Sequence, residues 1–437
     1  MANSTSKQAV PATVSKLKIT SNKEKGKTVN LIDGLVRLMY YESILQDTIR
    51  SEIVFTDTGN SIDEKSVLEG LPIVGTEDVE LEFKDNNDTT IKIDLNVNKV
   101  SQVNEESTAS MIKLDLVSEE FLRNEGGTSR LNVRFDGKIS DHIRRILTDF
   151  LKTEKTLDIE ETSNNYNFIG NNRKPYYVMN WLSKASIPTV AGEKGKTGGF
   201  FLFETSEGFK FKSIDGLFKQ KQKKSLVYNL TTNLPAGYDT KVLDYQGDNR
   251  VQSQEKFKMG AYGTRLVVFD PFNCFYEVIE QTANDSKDGT ELAAKELPKL
   301  NDKFESDSKF TRTTYKLIDT GTLPTGTTQQ QIDKSTEQNF ELQQVLNQTI
   351  RRYNQLFTGM QTVTIPGDFS LHAGDVVFLD TPSLRAKKGD KLNKEYGGLY
   401  IIADLCHYIS SEETYTKLNL VRDSFGRKGN HTTNIPL

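Results

Sequence analysis

The chain has 437 residues and a mass of 49.3 kDa, and its 56 basic and 60 acidic residues give a net charge of −4. Hydrophobic residues make up 35% and charged residues 27% of the sequence, which excludes a disordered chain, and the near balance of charge argues against tight nucleic-acid binding. No run approaches the roughly 18 apolar residues of a membrane span, and the polar residues 1–16 contain no secretory signal, so we expect a protein that folds in the cytoplasm without a membrane anchor.

The first predicted elements are strands. Residues 79–83 and 91–97 alternate apolar and polar side chains, and the polar turn 85–88 between them predicts an antiparallel hairpin. Strands of this kind bury one face only, as in sandwiches and small barrels. We therefore predict a closed or nearly closed barrel over residues 17–117, behind a loose tail at 1–16, and an ordinary open sheet is the alternative.

The middle of the chain mixes helices and strands. Apolar residues recur at helical spacing over 139–151, and a second short helix is predicted over 177–185, which contains the only tryptophan, Trp181. A strand hairpin follows over 198–204 and 208–212. The lone tryptophan is interpreted as an anchor in a core or an interface, because large aromatic side chains usually serve there.

A polar stretch separates this part from the C-terminal strands. Residues 281–338 are rich in Asp, Ser, Thr, Lys and Gly, and predict a long polar insertion or a mobile excursion. Apolar residues then recur at steps of three and four over 340–357, which predicts a strong helix. Strands follow up to 414–422, so we predict a second barrel at the C-terminus.

One C-terminal strand, residues 399–409, is mostly apolar on both faces. Such a strand must be covered on both sides, by its own domain and by something else. The cover is either a neighbouring subunit or another domain of the same chain, and both alternatives remain open. The outer face would consist of Tyr400, Ile402, Cys406 and Tyr408, or of the alternate set, and these four residues are the candidate subunit or domain interface.

A nucleotide site is not indicated. The segment 195–197 has the Gly-Lys-Thr sequence that ends a phosphate-binding loop, but the position of the first loop glycine is occupied by Val190. A predicted strand follows instead of a helix, so no helix N-terminus would be available to bind phosphate.

Metal and redox sites are not indicated either. The histidines and cysteines show no ligand spacing, and the cysteines are expected to be reduced thiols. We interpret His407 as a satisfied core histidine, and His142 and His372 as exposed. We therefore predict no catalytic, cofactor-binding or metal-binding residues. The histidines and cysteines are His142, His372, His407, His431, Cys274 and Cys406.

Four groups of residues share their order and spacing with a known protein family. They are 51–58 with 71–75 and 79–83; 135–141 with the helix 143–151; 180–185 with 201–204 and 208–213; and 372–377 with 398–402, His407 and 418–422. Through them the chain resembles the baseplate hub (central-spike adaptor) proteins of contractile-tail bacteriophages, and the hub part of type VI secretion spike proteins. The groups span most of the chain, from about residue 28 to 426, and the polar stretch 281–338 matches nothing in the family.

The resemblance implies a function and a set of partners. Each hub chain would carry two similar barrels, called tube domains, and three chains would form a homotrimeric ring. This ring would join a three-fold central spike protein to the six-fold tail tube or tube-initiator protein, contact other baseplate (wedge) proteins, and let DNA pass without specific binding. The resemblance further implies a non-enzymatic virion protein of the phage tail baseplate, assembled in the host cytoplasm without a cofactor.

The expected fold class is therefore mainly β with α-helices (α+β), in several domains. The predicted divisions are a first tube-like β-barrel (1–117), a mixed helix and strand domain (118–225), a mixed domain that carries the polar stretch (226–339), and a helix with a C-terminal tube-like β-barrel (340–437).

Two other functions remain open on the sequence. One is a tail-associated cell-wall hydrolase, because a pair of catalytic carboxylates need not be close in sequence. The other is a glycan-binding tail adhesin, for which Tyr166, Tyr176 and Tyr177 are the aromatic candidates.

Overall fold

The computed structural model shows a fold that is mainly β with α-helices and contains several sheets, which confirms the predicted fold class. Most of the regular structure consists of strands, and most of the helices are short. The structure describes residues 10–24, 26–59, 65–105, 109–189, 198–228, 234–247, 252–271, 274–282, 290–297, 300–307, 309–317, 327–329, 342–381 and 396–429.

The strands follow one another in chain order as β1 (Thr13–Thr20), β2 (Thr28–Asn30), β3 (Leu35–Ser43), β4 (Arg50–Asp57), β5 (Asp78–Lys84), β6 (Thr90–Glu105), β7 (Ser110–Val117), β8 (Arg134–Phe135), β9 (Leu157–Ile159), β10 (Phe168–Ile169), β11 (Phe200–Thr205), β12 (Gly208–Ser213), β13 (Lys224–Val227), β14 (Thr240–Lys241), β15 (Asp244–Gln246), β16 (Gly263–Asp270), β17 (Phe275–Thr282), β18 (Arg312–Leu317), β19 (Gly359–Pro366), β20 (Val376–Asp380), β21 (Gly398–Ser410) and β22 (Thr414–Arg422).

The helices are α1 (Val67–Gly70), α2 (Glu119–Arg123), α3 (Ile139–Arg145), α4 (Pro175–Ala185), α5 (Ile214–Lys219), α6 (Ser253–Met259) and α7 (Leu342–Leu356). A π-helical turn over Ile146–Phe150 continues α3. The helix predicted over 139–151 is therefore present as an α-helix followed by a π-helical turn. The predicted helix over 177–185 begins two residues earlier, at Pro175, whose fixed backbone angle suits the first helical position.

Fourteen strands of the described residues form one hydrogen-bonded sheet. Their order is β14-β13-β20-β21-β3-β4-β7-β6-β5-β1-β2, and β22, β19 and β15 continue from the other edge of β21. The antiparallel hairpin predicted near residues 79–97 is β5 with β6. Its turn is closed by Asp85, whose carboxylate accepts hydrogen bonds from the backbone N–H groups of Asn87 and Thr89.

The strand pairing corrects the prediction of two closed barrels. Within the described residues neither strand set closes on itself, because the N-terminal set continues into the C-terminal set where β3 pairs with β21. The physical reason is the length of β21, which has 13 residues. Its first residues pair with β20 and its last residues pair with β3 along the same edge, so one strand serves both sets.

The expectation of a loose tail over residues 1–16 is also wrong in part. Strand β1 begins at Thr13 and pairs with β5 along its length, so the last four residues of the expected tail are ordered strand.

Three hydrophobic cores stabilise the structure. The inner face of the large sheet forms the first core, in which Leu38, Ile53 and Leu114 are completely buried. The second core lies among α3, α4, α7 and the hairpin β11–β12. The third core connects these two parts, and it contains Phe203 of the hairpin and Ile401 of β21.

A buried charge cluster crosses the third core. The guanidinium of Arg352 on α7 donates to the carboxylates of Asp215, at 2.9 Å, and Asp423, at 3.0 Å. It also donates to the backbone carbonyl of Glu291, at 3.2 Å. These partners belong to α5, to the residue after β22, and to the segment 290–297, so one cation ties four parts of the chain together.

Removing this cation should destabilise the fold strongly. We expect Arg352→Met to lower the free energy of unfolding by about 3–5 kcal/mol, because the substitution leaves two buried carboxylates without their counter-ion. Urea unfolding followed by circular dichroism measures the loss. The matched control is Arg134→Met, because Arg134 pairs with Asp136 at 2.8 Å but is more than half exposed. It should cost less than about 1 kcal/mol, and equal losses in both variants would contradict the assignment.

Candidate assembly surface

Strand β21 changes the face that it buries partway along its length. In its first half, Tyr400 and Ile402 are completely buried in the first core, while Ile401 and Ala403 are buried in the third core. The pairing with β22 then shifts between Ile402 and Asp404, which marks a bulge. A bulge adds one residue to a strand and therefore exchanges its two faces.

The bulge splits the interface set predicted from the sequence. Before the bulge, both faces of β21 are covered within this chain, so Tyr400 and Ile402 are buried inside it. After the bulge, Leu405 and Ile409 enter the first core, and Cys406 and Tyr408 lie half-buried on the outer face. Of the four predicted interface residues, only Cys406 and Tyr408 therefore lie together on the outer face of the sheet.

Neighbouring strands complete a contiguous patch around these two residues. Cys406 lies opposite Tyr41 of β3, and Tyr408 lies between Met39 of β3 and Tyr415 of β22. The rings of Tyr408 and Tyr415 stack with their centroids 4.8 Å apart, and the hydroxyl of Tyr41 lies 3.2 Å from the sulfur of Met39. All five side chains are half-buried, and we call them the outer patch.

Ion pairs surround the outer patch. The carboxylate of Glu52 accepts hydrogen bonds from Arg37, at 2.8 Å, and from Lys113, at 2.5 Å. Burial disfavours the charged form of Glu52, but these two cations outweigh it and hold the pKa of Glu52 below its ordinary value. An aromatic centre within a charged rim is the usual anatomy of a contact between subunits.

Sequence reasoning missed Met39, Tyr41 and Tyr415. The signal was present, because residues 35–43 alternate between the two faces once they are recognised as a strand, with Leu38 and Tyr40 buried and Met39 and Tyr41 half-exposed. The sequence could not show that β3 pairs with β21, because the two strands are more than 350 residues apart.

A second exposed apolar surface lies on the three-stranded sheet β17-β16-β18. Its inner face packs against α7, where the amide of Asn347 donates to the carbonyls of Thr264 and Ile279. On its outer face Tyr315 and Leu317 are 75% and 77% exposed. We call this surface the second patch. Its exposed side chains surround the buried Val267 and are Phe269, Tyr276, Val278, Tyr315 and Leu317.

The three histidines that the structure describes occupy buried positions. Burial lowers the pKa of His407 to about 3, and its Nδ1 lies 2.8 Å from the hydroxyl of Thr416. His407 is thus a core histidine as predicted, but it is not fully satisfied, because its buried Nε2 makes no hydrogen bond with the described residues. The expectation that His142 and His372 are exposed is wrong, because both are buried. His142 contacts the carbonyl of Tyr166 at 2.8 Å, and His372 contacts a carboxylate from a distant strand.

The other sequence candidates do not come together. Tyr166 and Tyr176 are buried, and only Tyr177 is exposed, so the three tyrosines form no exposed aromatic cluster. Among the residues that the structure describes, no group of three or more His, Cys, Asp or Glu side chains is placed to hold a metal ion. The segment 195–197 and His431 lie outside the described residues.

Across the described part of the chain, no helix combines the length and the apolar composition needed to cross a membrane.

Comparison with known proteins shows what this fold resembles. The sequence matches no protein-family model, and no curated protein sequence matches it. Among solved structures, the chain is similar to the 43 kDa tail protein of prophage MuSo2 from Shewanella oneidensis, with a TM-score of 0.52, 10% identity, and coverage of 93% of this chain and 98% of that one. It is also similar to the tail protein of Neisseria meningitidis MC58, with a TM-score of 0.51, 9% identity, and coverage of 93% and 96%. The expected resemblance to phage tail proteins is thus confirmed for the fold.

The two cysteines provide a test of the outer patch. Burial raises the pKa of Cys406 to about 11, whereas Cys274 is exposed. A neutral, half-buried thiol reacts slowly with thiol reagents, because the thiolate is the nucleophile. We expect Cys406 in a Cys274→Ser chain to react with Ellman's reagent at pH 8 roughly ten times more slowly than Cys274 in a Cys406→Ser chain. The two thiols should react at equal rates in urea, where both are exposed. Equal rates in the folded chains would contradict the half-buried position of Cys406.

Proposed function

We propose that this chain is the structural hub of a contractile phage tail baseplate. The observation that carries the proposal is the fold, which the chain shares with a prophage tail protein and with a second tail protein over nearly its whole length. In this role three chains form a ring that joins a three-fold central spike protein to a six-fold tail tube, contacts other baseplate proteins, and lets DNA pass. The chain acts as a non-enzymatic structural component of the virion and is assembled in the host cytoplasm.

The large sheet is suited to transmitting mechanical force through the hub. Its strands from both ends of the chain are hydrogen-bonded across β3 and β21, so a force on one set is carried to the other through backbone hydrogen bonds. The buried Arg352 cluster holds α5 and α7 to the end of β22 in the same way. A hub between a spike and a tube needs this kind of mechanical continuity.

The outer patch supports the ring contact. Tyr408, Tyr415 and Tyr41 offer rigid aromatic area that can be desolvated at little cost in side-chain entropy, and such side chains dominate the affinity of protein interfaces. A ring of three requires two different faces on each chain, because each copy contacts its neighbours head to tail. We assign the outer patch to one face and the second patch to the face that receives it.

Measuring the mass of the purified chain tests the ring. We expect a species of three times the 49.3 kDa chain mass in light scattering, and three-fold rings with an open centre in negative-stain electron microscopy. A single-chain particle that persists at high concentration and with a spike protein added would reject the trimeric hub. In that case peptidoglycan degradation and glycan binding by the purified chain would test the hydrolase and adhesin alternatives.

Single substitutions test the two faces. Tyr408→Asp and Leu317→Asp should each shift the equilibrium from trimer to monomer by at least about tenfold, because each places a charge in an apolar contact that must exclude water. The control is Tyr177→Asp, since Tyr177 is 59% exposed and belongs to neither patch. All three variants should give the same far-UV circular dichroism spectrum without urea, which shows that they fold, and a trimer that tolerates both patch variants would contradict the assignment of these faces.

A further inference from the structure

A buried acid at the end of β3 is contacted by its own strand and by two distant parts of the chain. Glu42 is completely buried and accepts a hydrogen bond from the hydroxyl of Tyr40, at 2.7 Å. It also accepts hydrogen bonds from the backbone N–H of Ser206 in the β11–β12 turn and from that of Ala373, both at 2.9 Å. Its fourth partner is the imidazole of His372, whose Nδ1 lies 3.1 Å away.

The contacts of His372 hold the turn over residues 373–375 against the rest of the chain. Its backbone N–H donates to Asp375, at 2.8 Å, and Asp375 also pairs with Lys223, at 2.9 Å. The Nε2 atom of His372 lies 3.6 Å from the exposed carboxylate of Glu207. Other charged or titratable groups near the pair, on the elements packed against it, are Tyr40, Glu204, Lys210, Asp368 and His407.

The turn itself fits tightly. Gly374 has a φ of +85°, and a Cβ atom built on it would lie 2.7 Å from the ring of Phe203 and 3.4 Å from Leu217. Phe203, Leu217 and Gly374 also line an open cavity of about 320 Å³. The turn therefore forms part of the wall of this cavity. Besides its contacts with Glu42, it is held by backbone hydrogen bonds that Gly374 and Asp375 make with Ile402, and by the amide of Gln220, which donates to the carbonyl of Gly374.

We propose that Glu42 and His372 form a proton-operated latch, which fastens the turn over residues 373–375 and the β11–β12 turn to strand β3 while His372 is protonated. Loss of the proton from His372 leaves the buried carboxylate with neutral partners only, and the attachment of the two turns to β3 is weakened. The latch does not depend on the proposed hub function, because every contact that forms it lies within one chain.

The direction of the pH effect follows from both groups. Burial would lower the pKa of His372, but the charge of Glu42 outweighs it and raises the pKa above the ordinary 6.5. Burial would raise the pKa of Glu42, but His372 and the hydrogen bonds hold it below the ordinary 4.5. The stabilisation from His372 is complete below pH 6.5 and is lost as the pH rises through its raised pKa, whereas that from Glu42 is complete above pH 4.5 and is lost in acid. The latch is therefore fully closed between these values.

Hydrogen exchange of the full-length chain tests whether this attachment weakens. We expect the protection of peptides over residues 203–209 and 371–377, corrected for intrinsic exchange, to fall severalfold between pH 6 and pH 9, because His372 loses the charge that holds the two turns. A peptide over residues 78–95 should keep its protection. If protection at the two turns does not depend on pH, or falls equally along the whole chain, the latch is rejected.

Two variants identify the groups that titrate. In Glu42→Gln the pH dependence at the two turns should disappear, and the midpoint of His372 in an NMR titration of labelled histidines should move from above 6.5 to below it, because burial is then uncompensated. The control is His142→Gln, since His142 is buried against Tyr166 and makes no contact with Glu42. It should leave the pH dependence unchanged, and loss of the dependence in this control would reject the pair as its source.

Discussion

The pairing of β21 with β3 is the contact on which the rest of the structure depends. It joins strands from both ends of the chain into one sheet, and it obliges a single strand to pair with β20 first and β3 afterwards. The bulge near Ala403 follows from this double role, because the strand must bury both faces in its first half and only one face in its second half. The outer patch exists only because the bulge brings Cys406 and Tyr408 to the surface.

Local pattern was sufficient where the structure is local. The β5–β6 hairpin, the β11–β12 hairpin and helices α4 and α7 are all formed by residues whose periodicity is visible over a short window. Whether the predicted barrels close fully could not be decided from the sequence, because closure depends on which strands pair, and alternation within a strand contains no information about its neighbour. The domain boundaries and the role of Cys406 and Tyr408 in an interface stay predictions for the same reason.

The buried polar groups were even harder to predict from the sequence, because their partners are distant along the chain. His372 precedes a Gly-containing turn, and a sequence reader therefore expects it to be exposed, yet its partner Glu42 comes from a strand 330 residues earlier. Arg352 lies on a helix whose pattern predicts only its apolar stripe, and its two carboxylate partners are supplied by α5 and the end of β22. Burial of a charge is energetically tolerable only when partners are present, so these residues could be recognised only after the fold was known.

The distance along the chain between β3 and β21 affects how the protein can be made. Ser43 and Asp404, whose side chains are hydrogen-bonded, are separated by 361 positions. At synthesis rates of roughly 5–20 residues per second, β3 would wait on the order of 20–70 seconds for its partner strand to leave the ribosome. During this time an edge with apolar residues and free hydrogen-bonding groups is open to pairing with other chains. Chaperones, or an early association with a partner protein, would then determine how much of the chain reaches the native sheet.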